Sequence, residues 1–93
     1  MKAVLIEKEE IQNLKFPKGA VLSSNTEKTA LLKKLKSATS LGNGSHNKVR
    51  IFFEDDIELR EVETTIWAVG DQNISLKYGL TIPIERILDV VLV

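Results

Sequence analysis

Lys48-Val49-Arg50-Ile51-Phe52-Phe53-Glu54-Asp55-Asp56-Ile57-Glu58-Leu59-Arg60-Glu61-Val62-Glu63-Thr64-Thr65-Ile66-Trp67-Ala68-Val69 is the stretch on which the fold turns. Val49, Ile51 and Phe53 alternate with Arg50, Phe52 and Glu54, and side chains that alternate along an extended chain stand on opposite faces. Val49, Ile51 and Phe53 are therefore expected in the core, with Glu54-Asp55-Asp56 as the turn that follows. The second strand starts with Ile57 and Leu59 on one parity and continues with Val62, Thr64, Ile66 and Ala68 on the other. Such a change of phase predicts a bulge or bend near Arg60-Glu61. Beyond Glu63 both parities are largely apolar, so Ile66 and Ala68 face one way and Trp67 and Val69 the other. One face lines an interior and the second needs cover.

Downstream, Gly70-Asp71-Gln72-Asn73 turns the chain into Ile74, Leu76 and Tyr78, which alternate with Ser75 and Lys77. Tyr78-Gly79 is a second tight turn. Leu80, Ile82 and Ile84 alternate with Thr81 and Pro83, and proline, lacking an amide hydrogen, places this strand at a sheet edge. Glu85-Arg86-Ile87 reads as a single helical turn before a last strand from Leu88 to Val93.

Upstream, Ser24 with Glu27 three residues later is a capping-box pattern and opens a helix over 24–42, closed by Gly42. Leu31, Leu35 and Ala38 form its apolar stripe. That stripe is expected to cover the second face of the Trp67 strand, with a subunit interface as the alternative cover. Residues 1–23 are less regular: Ala3 to Ile6 reads as a short strand, whose joining the sheet as a sixth strand the sequence leaves open, Glu7 to Leu14 has helical spacing, and Phe16-Pro17-Lys18-Gly19 ends that helix. Asn43 to Asn47 is a polar loop. Together these elements predict a mainly β chain with one main α-helix, a small five- to six-stranded SH3-like or Sm-like barrel over 48–93 preceded by the helix. At 93 residues, 43% hydrophobic and 28% charged, it forms one domain over 1–93.

The chain has no cysteine, which excludes disulfides, thiolate metal sites and thiol chemistry, and points to the cytoplasm. The apolar tetrad near the N-terminus is too short for a signal peptide, and no run approaches the ~20 apolar residues of a membrane span. No membrane contact and no cofactor are expected. The one histidine, His46, has no second ligand for a metal pair and reads as a solvated loop residue. The carboxylates Glu54, Asp55, Asp56, Glu58, Glu61 and Glu63 lack calcium-loop spacing and read as a solvated hairpin face. Nothing in the sequence assembles a catalytic constellation, and no enzyme is predicted.

Charge is balanced overall but not along the chain. Residues 1–50 hold ten Lys or Arg against four Glu, and residues 51–93 hold three against nine acids. Either the halves fold together and their charges intermix, or a basic face remains for an anionic partner. Lys33, Lys34 and Lys36, with Lys48 and Arg50, are the candidate anion- or nucleic-acid-binding residues, and Phe52, Trp67 or Tyr78 would supply stacking surfaces.

Two resemblances add to this reading. The segments Ala38 to Asn43, Lys48 to Asp55, Val62-Glu63-Thr64-Thr65-Ile66-Trp67-Ala68 and Ile74 to Ile87, together with Leu14-Lys15-Phe16-Pro17-Lys18-Gly19, resemble a family of short uncharacterised Bacteroidetes proteins. That family's IPI-x-RI motif carries a histidine where this chain has Glu85, and the resemblance implies no activity. The order of elements is similar to that of Sm-like and SH3-like barrels; Sm-like proteins bind RNA as rings joined through strand edges. Here Asp55-Asp56 replaces the usual Asp-Gly turn, the second strand lacks its glycine, and Pro83 interrupts an edge. The function expected from the residues is binding, of a protein partner or of a second copy. Its candidate surfaces are Thr65, Trp67 and Val69 on one strand and the open edge at Pro83. Nucleic-acid binding through the lysine-rich helix is the alternative.

Overall fold

Seven strands and one long helix make up the computed structural model, which describes residues 2–45 and 48–93, with the backbone alone over 40–45. Strands β1 (Val4–Ile6), β2 (Val49–Glu54), β3 (Leu59–Thr64) and β7 (Ile87–Leu92) form one sheet in the order β1-β3-β2-β7. Strands β4 (Ile66–Val69), β5 (Asn73–Leu76) and β6 (Thr81–Pro83) form the second, in the order β4-β5-β6. Neither sheet closes on itself. A single residue, Thr65, separates β3 from β4, so one bent stretch of chain passes from the first sheet to the second. The result is a mixed α/β domain with one main helix, and its seven strands are the expected five, a sixth from the N-terminal segment and one more from a split. The second long strand is split at Thr65, and Val4–Ile6 adds a strand parallel to β3, with Leu5 opposite Glu61.

Core residues follow the alternation read from the sequence. Val49, Ile51 and Phe53 are all buried, as are Ile74, Leu76 and Ile82. Tyr78 departs from its series and is exposed, because it belongs to the turn and not to a strand. The predicted phase slip at Arg60-Glu61 is absent: β2 and β3 pair without interruption from Glu54–Leu59 to Val49–Thr64. Ile57, which created the apparent slip, lies in the turn and is exposed, while Arg60, Val62, Thr64 and Ile66 keep one inward parity. The irregularity falls at Trp67 instead, where Ile66 pairs Leu76 and Ala68 pairs Ser75, leaving Trp67 as the extra residue of a bulge.

Helix α1 (Asn25–Ser45) starts as its cap predicts, with the Glu27 amide donating to Ser24 Oγ at 3.0 Å. It continues past Gly42, the residue expected to end it. Leu31, Leu35 and Ala38 are buried in the same core as Ile51 and Ile66, and the helix packs on β4 and β7. Pro83 does sit on an edge strand, and a 3-10 turn at Ile84–Arg86 precedes the last strand. His46 lies outside the described residues.

Arg86 secures the irregular N-terminal segment. Its Nε donates to the Glu54 carbonyl at 3.1 Å and its Nη1 to the Gly19 carbonyl at 2.9 Å. The Val21 amide donates to the Glu85 carbonyl and the Asp56 amide to the Lys15 carbonyl, so residues 15–21 are bonded to the C-terminal half of the chain at both ends. Gly19 has φ +115°, a conformation that side chains disfavour.

Candidate interaction surfaces

The acidic hairpin is solvated in part, with Asp56, Glu58 and Glu63 exposed as expected, but Asp55 departs from that reading and anchors a charge network. Asp55 is buried, and its Oδ1 accepts from the amides of Ile57 and Glu58, both at 2.8 Å. Its Oδ2 accepts from Arg60 Nε at 2.9 Å. Burial pushes the Asp55 carboxyl up, but the amides of Glu58 and Ile57 and the Arg60 guanidinium together outweigh it and hold the group below its ordinary value. Arg60 also reaches Glu58 at 3.1 Å, and Arg86 approaches the Glu54 carboxylate at 3.8 Å. Among the described residues no cluster of three or more acidic or histidine side chains is arranged to hold a metal ion.

The five candidate cations do not form one free patch. Arg50 on β2 lies between Glu61 at 3.6 Å and Glu63 at 3.3 Å across the ladder on β3. Lys34 Nζ donates to Asp89 Oδ1 of β7 at 2.9 Å. Lys33, Lys36 and Lys48 are exposed. Both Lys34–Asp89 and the Arg50 pairs join the basic half of the chain to the acidic half, so intermixing of charge is built into the fold. Sequence reading found these cations but not their partners, because each partner is distant along the chain.

Thr65, Trp67 and Val69 lie at the bend and along β4, on one side of the second sheet, and Pro83 lies on β6 at the other. Strand β5 separates them, with Val69 opposite Ile74 and Asn73 opposite Pro83, so the two candidates are about 10 Å apart across the sheet. Helix α1 packs on β4 without burying Trp67, which remains 52% exposed. Thr65, Val69 and Pro83 are half-buried.

Exposed apolar side chains stand on other strands too. Leu5 on β1 and Val91 and Leu92 on β7 are exposed, and β1 and β7 are the outer strands of the first sheet. Sequence reading did not single these out; the signal was the apolar run Val90 to Val93, whose edge position only the topology reveals. Tyr78, also exposed, has a left-handed backbone at φ +65°, with the ammonium groups of Lys77 and Lys8 at 5.3 and 5.9 Å from its ring centre. No helix of the described residues is long and apolar enough to cross a membrane. Comparison of the chain with protein-family models, with curated proteins and with solved structures finds no match.

Proposed function

We propose that this chain is a non-enzymatic cytoplasmic binding module that engages a protein partner or a second copy of itself. The observation that carries the reading is the placement of large apolar side chains on strands at sheet edges: Leu5 on β1, Trp67 on β4, and Val91 and Leu92 on β7. Exposed edges and apolar groups together are what strand-adding or surface-docking partners use. The surface read first from the sequence, Thr65, Trp67 and Val69 with the Pro83 edge, belongs to this set. An SH3-like or Sm-like barrel is the architecture that this reading adopts. In its support, β2 to β7 follow in chain order, a bent strand bridges the sheets, a 3-10 turn precedes β7, and β7 returns to pair with β2.

Nucleic-acid binding through Lys33, Lys34, Lys36, Lys48 and Arg50 has less support, because Lys34 and Arg50 are already paired with carboxylates. Sedimentation across a concentration range, at low and physiological salt and with an unstructured oligonucleotide, separates the readings. Self-association indifferent to salt, or a monomer indifferent to oligonucleotide, agrees with the protein-binding module. An oligonucleotide complex that dissolves with salt and is lost in Lys33→Glu/Lys36→Glu overturns it.

A further inference from the structure

We propose that the groove between α1 and the outer edge of β7 receives an extended, acidic and apolar segment of a protein partner by strand addition. The inference rests on the protein-binding reading above and gives it a location away from the Trp67 strand.

The edge comes first. The Val93 amide donates to the Lys48 carbonyl, which marks these two as a hydrogen-bonded pair of the antiparallel β2–β7 ladder. Such pairs alternate along a ladder, so Arg50–Val91 is the next, and Val90 and Leu92 direct their N–H and C=O groups away from β2. The Val90 amide agrees: it donates to the Asp89 carboxylate at 2.8 Å and not to a neighbouring strand. The other outer strands offer less backbone for pairing. Strand β6 holds Pro83, β1 has three residues, and β4 is short and bulged at Trp67. Strand β7 has six residues, no proline and no lysine; its register shift at Leu88 lies before the Val90–Leu92 stretch, and its single charge, Asp89, is bonded to Lys34.

The groove selects the occupant. It has a volume of about 530 Å³, with Ala38, Val90, Val91 and Leu92 supplying apolar walls and Lys33 and Lys34 on the helical rim. Lys34 is neutralised by Asp89, whereas Lys33 has no ion pair among the described residues. The rim is therefore net positive above an apolar floor, complementary to an extended segment whose apolar side chains are accompanied by Asp or Glu. A second copy of β7 fits less well, since its only carboxylate is already bonded to Lys34.

Selection of displayed random dodecapeptides on the immobilised full chain tests this. Enriched peptides are expected to alternate apolar residues with Asp or Glu. Leu92→Pro removes an outward amide at an exposed position as well as apolar groove wall and should weaken their binding about tenfold, while Leu92→Thr, which loses apolar wall but keeps the amide, should weaken it several-fold less. Lys33→Glu should weaken it by a similar factor, and Asp89→Ala, which frees both the Val90 amide and Lys34, should tighten it. Thermal melts confirm that each variant is folded, and if Leu92→Pro is not, Lys33→Glu decides. Peptides that survive both substitutions but are lost with Trp67→Ala overturn the groove and leave the protein-binding reading standing. Absence of any enriched peptide overturns the groove, and combined with absence of self-association it overturns the protein-binding reading as well; self-association abolished by Leu92→Pro replaces the partner segment with a second copy.

Discussion

Arg60 Nε donates to the buried Asp55 Oδ2 at 2.9 Å, five residues back along the chain, and closes the β2–β3 turn with a charge that water does not reach. The same carboxylate receives two turn amides, so one side chain organises the whole connection.

Asp55→Ala should destabilise the domain by about 2–3 kcal/mol, because it leaves two turn amides and a half-buried guanidinium without their acceptor. Urea unfolding at neutral pH measures this. The pH dependence follows from the depressed carboxyl. A lowered folded-state value means stability that is complete above the unfolded-state value of about 3.9 and is lost as pH falls through the lower folded-state value. Asp55→Asn should therefore flatten the acid limb of the stability profile relative to the unsubstituted chain. An unchanged acid limb would show that Asp55 does not govern it.

Tyr78→Asn should raise the melting temperature, with a gain of about 0.5–1 kcal/mol after loss of the weak contacts with Lys77 and Lys8. Tyr78 and Gly79 both have positive φ, the pattern of a two-residue hairpin turn in which Asn-Gly is favoured and a bulky residue is strained. Gly79→Ala should lower the melting temperature for the same reason.

Trp67→Ala and Leu35→Ala should differ sharply in stability. Leu35 is fully buried on the inner face of α1, and its truncation should cost about 2–5 kcal/mol through lost burial and the cavity left behind. Trp67 is 52% exposed on a bulge, and its truncation should cost about 1–2 kcal/mol. Chemical denaturation of the two variants checks the ranking. A smaller effect at Leu35 would contradict the packing of α1 on the sheets.

Arg86→Ala should release residues 15–21 before the rest of the domain. Its two carbonyl partners, Glu54 and Gly19, lie on separate segments, and the neighbouring Glu85 carbonyl accepts the Val21 amide. Hydrogen exchange at Val21 should accelerate while exchange at Ile51 changes less, with an overall cost of about 1–3 kcal/mol.

Much of this architecture is legible locally. The alternation of Val49, Ile51 and Phe53, the Ser24 cap, the Leu31-Leu35-Ala38 stripe and the edge position implied by Pro83 are written in residues a few positions apart, where backbone geometry alone couples them. The apparent slip at Arg60-Glu61 misled because Ile57 is apolar yet belongs to a turn held by Asp55, a bond that hydrophobic pattern does not encode.

Ladder partners and charge partners are decided by tertiary structure. Parallel pairing of β1 with β3, the bulge at Trp67, and the pairing of Arg50 with Glu61 and Glu63 and of Lys34 with Asp89 join residues brought together only when the sheets and helix assemble. Composition and period dictated a small β-rich domain with a covering helix, since burying alternate apolar residues is a local requirement repeated along the chain. Which strand edge stays open, and which lysine meets a carboxylate, depends on contacts across dozens of residues, and so appears only in the folded molecule.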